Sequence, residues 1–286
     1  MVRSGRRVCV TALAMLAAAS VSAVAAPESL LIFAGAASKP PLEEIMALYE
    51  KETGVKVQAT IGGSGYVLSQ MKLARQGDVF FPGSSDYMEK AKRDSAVLPE
   101  TERKVVYLVS AINVQKGNPL GIKSLTDLTR SGVRVAIANP QTVCVGAYAV
   151  EIIENSLSPS AKAALRKNIV NYTESCEKTA TAVSLKTVDA VIGWSVFAYW
   201  DTVRIETVPL KPEQVQRVGY IPIAVSVYTK DKSGAQRFID YVLSEKGRAV
   251  FRKHHYFMTA EEAGDWIGAK KPVGGEYALP DTWVPK

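Results

Sequence analysis

Four short stretches of the chain place small or hydroxyl-bearing residues directly ahead of helix-forming sequence. They are Ala37-Ser38 before Pro40, Gly63-Ser64-Gly65 before Tyr66, Val145-Gly146, and Ser175-Cys176 before Glu177. A helix start exposes backbone N–H groups without intrahelical partners and carries partial positive charge, so each turn can hold an anion. Four such turns aimed at one point would form an anion cage. Ser at an N-cap and Gly in a strand-to-helix turn also serve plain capping in any α/β protein, and position along the chain does not decide between the two. The donors on offer are neutral, with Glu177 beside one turn and Lys39 beside another. Neutral donors without a facing acceptor suit an anion that has no proton to give better than one that keeps a proton, as monohydrogen phosphate does. Lys39 either adds charge at the mouth of such a site or is a solvated surface lysine.

Other chemistry is sparse. His254 and His255 are the only histidines and are adjacent, which does not put both on one helix face as metal ligands; a helix-end role fits them better. No Cys-x-x-Cys, Gly-x-Ser-x-Gly, phosphate loop or zincin motif occurs, so neither an enzyme nor a cofactor is expected. Cys144 and Cys176 each fall at one of the four turns. In an oxidising compartment they would pair as a disulfide. If reduced, thiols at helix N-termini would have lowered pKa values and could ligate a soft metalloid such as arsenite.

The compartment is read from the first residues. Arg3, Arg6 and Arg7 precede an apolar run from Val8 to Ala19 and a small-residue site at Ala23-Val24-Ala25, the layout of a secretory signal peptide spanning residues 1–25. Cys9 lies within the apolar run and not in a lipoprotein setting. Cleavage would remove three arginines and lower the net charge from +7 to +4. That mild surplus argues against nucleic acid, which demands a clustered basic face.

The elements that must carry the turns follow from periodicity. Leu42, Ile45, Met46 and Tyr49 make one helical stripe that Gly54 can end. Val55, Val57, Ala59 and Ile61 alternate as a strand, a helix runs from Tyr66 to Gln76, and a strand follows from Asp78 to Phe81. Asp86 with Glu89 resembles a capping box. Strands are expected at Val105 to Asn113, Val133 to Ala138, Ile169 to Tyr172, Ala190 to Gly193 and Ile221 to Tyr228. Helices are expected at Val145 to Asn155, Ala161 to Lys167, Gln236 to Leu243 and Arg248 to Lys253, with an aperiodic tail from Gly264 draped over one lobe. Repeated βαβ units predict mostly parallel sheets flanked by helices, and a chain this long divides into two lobes.

Several segments together resemble bacterial periplasmic molybdate-binding proteins: Ile32 to Ser38, Ile61 to Gly65, Gln70-Met71, Gly77 to Phe80, Asn139 to Ala149, Asp189 to Trp194, and Phe238 to Tyr241 with Phe251 to Lys253. The resemblance covers roughly residues 29 to 258. It implies an α/β, two-lobed type II periplasmic binding protein with the ligand cleft between the lobes. Lobe 1 is expected to comprise residues 26–107 and 222–286, and lobe 2 residues 108–221. It further implies that Ser38 and Ser64 donate hydroxyl and backbone N–H groups and that Val145 and Cys176 donate backbone N–H groups. The family's fifth donor is a tyrosine hydroxyl; here the matching residue is Trp194, with Ser195 beside it. An indole N–H is a donor only, so Trp194 either faces the oxyanion or is a cleft-wall aromatic. The implied function is periplasmic capture of molybdate, possibly tungstate, by a monomer that delivers it to an ABC permease in the inner membrane. The alternatives are arsenite-like binding through Cys144 and Cys176, or an oxyanion sensor for a membrane receptor.

Overall fold

Hydrophobic runs closed by glycine set the first elements. In the computed structural model, which describes residues 29–283, β1 (Ser29–Gly35) is buried continuously from Ile32 to Gly35, as a central parallel strand must be. The leader expected at residues 1–25 lies outside the described residues. After a single 3-10 turn, α1 (Lys39–Thr53) carries prolines in its first turn and buries Leu42, Ile45 and Tyr49 on one stripe. It ends at Gly54, whose φ of 74° takes the left-handed cap. The same strand-turn-helix grammar gives β2 (Lys56–Gly62), α2 (Ser64–Ala74), β3 (Val79–Phe81) and α3 (Ser85–Arg93). The expected capping box at Asp86 is not formed: Ser84 is the N-cap of α3, and its hydroxyl donates to the Asp86 carboxylate at 3.0 Å.

The strand expected from Val105 to Asn113 is two strands, β4 (Arg103–Leu108) and β5 (Ser110–Gln115), lying in different sheets. The chain passes from one lobe to the other at Val109, so unbroken apolar sequence does not mean one strand. The second lobe contains β6 (Val135–Ala138), α4 (Cys144–Ser156), α5 (Pro159–Asn168), β7 (Ile169–Thr173), α6 (Cys176–Ser184), β8 (Ala190–Trp194), the short α7 (Phe197–Trp200) and β9 (Ile205–Pro209). Residues 210–218 lead back to β10 (Gly219–Val225), followed by α8 (Lys232–Leu243), α9 (Glu245–Lys253) and α10 (Ala260–Ile267).

Two five-stranded sheets result, ordered β2-β1-β3-β10-β4 and β7-β6-β8-β5-β9. In each, three parallel strands are followed by one antiparallel strand, β10 or β5, and then by a strand antiparallel to it. Four strands per sheet therefore share a direction and one opposes them. The opposing strand is in both cases the one that the chain enters on crossing from the other lobe. This exchange of a strand pair makes the lobes a two-lobed α/β structure joined by two crossings, as the resemblance implies.

The apolar core is continuous across the cleft. One cluster joins Ala36 and Ala37 of the first lobe to Val143, Cys144, Val145, Tyr148, Cys176 and Trp194 of the second. The second cluster fills lobe 2 and takes in Ala263, Ile267 and Trp283 of the tail. The tail, expected with lobe 1, thus packs from α10 onward on the core of lobe 2. Its polar contacts then reach back: Glu276 pairs with Arg93 of α3 through two bonds of 2.7 and 2.9 Å, and Ser85 donates to the Gly275 carbonyl.

Candidate functional site

Parallel strands deliver their C-terminal ends to one side of a sheet, and ligands of open α/β sheets bind there. Here the ends of β1, β2 and β3 face those of β6, β7 and β8 across the cleft, and each end turns directly into a loop or helix start. Ser38, Ser64, Val145, Cys176 and Trp194 are 0, 1, 0, 1 and 0 % exposed, so all five lie inside the closed seam.

A chain of contacts links them. The Ser38 hydroxyl donates to the Gly35 carbonyl at 3.2 Å. Gly35 lies so close to its neighbours that a Cβ there would come within 2.4 Å of the Gly83 nitrogen and 2.7 Å of Ser64 Oγ. Ser64 Oγ accepts the Gly83 N–H at 2.9 Å, which leaves its own proton available for donation. A Cβ on Gly83 would lie 2.7 Å from Cys144 Sγ, and Cys144 Sγ is 3.8 Å from Cys176 Sγ. Val145 and Trp194 pack in the same buried cluster as the two cysteines. The predicted residues are therefore brought to one locus.

Plain capping does not explain the turns equally. Neither Ser38 nor Ser64 uses its hydroxyl as a helix cap, and Val143, the N-cap of α4, supplies no side-chain cap. Ser175 does cap α6, accepting the Lys178 N–H at 3.1 Å. Three helix starts thus keep N–H groups without a side-chain cap at one seam. The Trp194 indole nitrogen is buried and has no hydrogen-bond partner of ordinary geometry among the described residues. Its ring packs edge-on against Tyr148, with centroids 4.8 Å apart. Trp194 is consequently both a cleft-wall aromatic and a potential donor.

The cysteines are separate thiols in this structure, and the expectation of a lowered thiol pKa fails for Cys176. Burial, reinforced by Cys144, pushes the Cys176 thiol well above its ordinary value, while the Trp194 and Val145 N–H groups pull the other way and are outweighed. A helix N-terminus lowers a thiol pKa and apolar burial raises it, and at Cys176 burial outweighs the helix start. No group of three or more His, Cys, Asp or Glu side chains poised for a metal occurs among the described residues.

Direct contacts close the lobes on each other. The Gly65 N–H donates to the Thr142 carbonyl at 2.9 Å. Lys39 pairs with Glu177 across the cleft at 2.6 Å, with both side chains partly exposed, so it is a surface lysine held in an ion pair and not a free cleft charge; this bond raises its pKa. Tyr199 stacks on His255 at 3.8 Å. Sequence reasoning missed two residues here. Gly83 follows β3 in the same small-residue, pre-helix setting as the other turns, a signal that was present. Arg217 gave none: it is 6 % exposed, bonds Asp86 of α3 at 3.0 Å and Glu151 of α4 at 2.7 Å, and lies over the Tyr148 ring at 3.9 Å. Its carboxylate partners are distant in sequence and recognisable only in the fold.

Comparison with known proteins agrees with this architecture. A binding protein of Haemophilus influenzae is 29% identical over 225 residues, covering 78% of this chain and 88% of its own length. The molybdate-binding protein of Escherichia coli is 22% identical over 245 residues, covering 82% and 91%. The solved sulfate-binding protein SubI of Mycobacterium tuberculosis superposes with a TM-score of 0.73 at 15% identity, covering 86% of this chain and 94% of its own. The model of one family matches residues 30–257. With its exchanged strands and its closed interlobe seam, the chain belongs to the bacterial extracellular solute-binding proteins.

Proposed function

We propose that this protein is a periplasmic receptor for a tetrahedral, fully deprotonated oxyanion, molybdate or tungstate, which it delivers to an ABC permease. The carrying observation is that Ser38, Ser64, Val145, Cys176 and Trp194 are all buried at one seam between two lobes, the serines joined through Gly35 and Gly83 to the cysteine pair and Val145 and Trp194 packed in the same cluster. Donors drawn from both lobes make the anion favour the closed form, and closure excludes water, which strengthens each hydrogen bond. The likeness to the Escherichia coli molybdate-binding protein supports the choice of ligand, and the neutral donor set supports a ligand without a proton. Helix termini alone, at about 0.3–2 kcal/mol each, fall short of the roughly 8 kcal/mol of micromolar affinity, so the hydroxyl and N–H bonds carry the remainder.

The double substitution Ser38→Ala with Ser64→Ala tests the site. Calorimetric affinity for molybdate should fall by about a hundredfold or more, from two lost charge-assisted bonds; affinity near that of the unmodified protein would refute the assignment. A second reading, capture of an arsenite-like metalloid, is favoured by the 3.8 Å approach of the two sulfurs. It is opposed by the burial that holds Cys176 protonated, since thiolates are the ligating form. Titration with arsenite under reducing conditions separates the two readings.

A further inference from the structure

The oxyanion reading leaves two buried thiols at the anion locus without a role. We propose that Cys144 and Cys176 form a redox switch inside the cleft, with the disulfide as the tight-binding state and the dithiol as the weak one. The inference rests on the proposed oxyanion site. Its first ground is position. The two sulfurs belong to the first residues of α4 and α6, sit in separate binding turns 32 residues apart, and face each other at 3.8 Å. A disulfide bond is about 2.05 Å long, so side-chain rotation closing roughly 1.8 Å would join them.

The second ground is what surrounds each sulfur. The Trp194 indole N–H is buried without a hydrogen-bond partner among the described residues, Val145 directly follows Cys144 in the chain, and both residues share one buried cluster with the two sulfurs; these are two of the donors assigned to the anion. As free thiols, the two sulfurs leave the starts of α4 and α6 unlinked, so the turns that carry the donors are ordered only when the anion binds. A bond between them ties the starts of α4 and α6 together and fixes these donors in place before the anion arrives. Cys144 Sγ in turn rests against Gly83, where any Cβ would lie 2.7 Å from the sulfur; glycine at this place leaves room for the pair. Gly83 also donates to Ser64 Oγ, so the sulfur pair touches both halves of the site.

The exchange is balanced with a disulfide-bearing oxidant. One cysteine thiolate attacks the oxidant's S–S bond and expels the first thiol. The second cysteine sulfur then attacks the mixed disulfide and expels the other. Two electrons pass to the oxidant, and the two cysteine protons leave on its thiols. Both cysteines are 1 % exposed in the closed form, so exchange requires the lobes to part. An anion that holds the lobes shut slows oxidation, and the redox state that pre-orders the donors binds the anion more tightly.

The test uses the full chain in two states, one treated with oxidised glutathione and one with a phosphine reductant, with thiols counted by mass after alkylation. Molybdate and sulfate are titrated calorimetrically into each. The oxidised protein should bind about tenfold more tightly or better. The Cys144→Ser variant should bind as the reduced protein does in both treatments. Equal affinity in the two states with the disulfide verified, tighter binding by the dithiol, or two thiols persisting after oxidant treatment would each overturn the switch while leaving the oxyanion site standing. Titrations silent in both states would overturn the oxyanion reading and the switch together.

Discussion

Gly63 occupies the seam at a place where one methyl group separates a closed cleft from an open one. Its backbone, φ −60° and ψ 138°, is extended and open to any residue, so alanine there brings no strain within its own lobe. A Cβ would, however, lie 2.7 Å from the Glu174 carbonyl and 2.9 Å from the Thr142 carbonyl, both in the opposite lobe. Carbon and carbonyl oxygen approach no closer than about 3.3 Å, so closure would stop short by roughly half an ångström at this point. The neighbouring Gly65 to Thr142 hydrogen bond of 2.9 Å would stretch with it. Overpacking of this kind costs about 1–3 kcal/mol, which falls on the closed form alone. Gly63→Ala should therefore weaken oxyanion binding by roughly five- to 150-fold. In the absence of ligand, its melting temperature should match or slightly exceed that of the unmodified protein, because alanine restricts the unfolded chain. Calorimetry for affinity and a thermal melt for stability read the two effects separately. Affinity within about twofold of the original would refute closure in this geometry. Wholesale destabilisation would show that Gly63 sits in a rigid core and not at a moving seam.

Arg217→Met leaves Asp86 and Glu151, each with a side chain 13 % exposed, without their shared cation. It should cost about 3–5 kcal/mol in denaturant unfolding, part of which Asp86→Asn in the same chain restores; a loss under about 1 kcal/mol would contradict the role of the buried hub. Trp194→Phe keeps the packing on Tyr148 but removes the indole donor, so molybdate affinity should fall about tenfold with little change in melting. Unchanged affinity would make Trp194 a wall and nothing more. Glu154 accepts from Trp283 at 2.6 Å and pairs with Lys162 at 2.7 Å. Burial, which alone would raise its pKa, is outweighed by these partners and Arg166, so the folded value lies below the ordinary 4.5. The stability it contributes is present above pH 4.5 and lost as the pH falls through that lower value. Acid titration should then loosen the tail, read as a rise in protease access at residues 269–283 that sets in only below the ordinary carboxylate range.

Local signals explain what was legible beforehand. Leu42, Ile45 and Tyr49 with Gly54 mark α1 without any tertiary information, and the turns at Ser38, Ser64 and Cys176 show as strand ends meeting helix starts. The split at Val109 was hidden because β4 and β5 are both apolar, and which sheet each joins depends on pairings far away in sequence. α10 was missed because Gly264 interrupts its period. Its cap was nonetheless visible as Thr259 ahead of Glu262, and Thr259 Oγ1 does accept the Glu262 N–H at 3.1 Å. The acidity of Cys176 was misjudged because helix position is readable in sequence while burial against Cys144 is not.

One measurement bears most directly on the oxyanion site: calorimetric titration of the purified protein with molybdate, tungstate, sulfate and phosphate at neutral pH. Stoichiometric binding of molybdate and tungstate at micromolar or lower dissociation constants, with phosphate much weaker, is the expected result. No heat with any of the four anions, or a preference for phosphate, would contradict it.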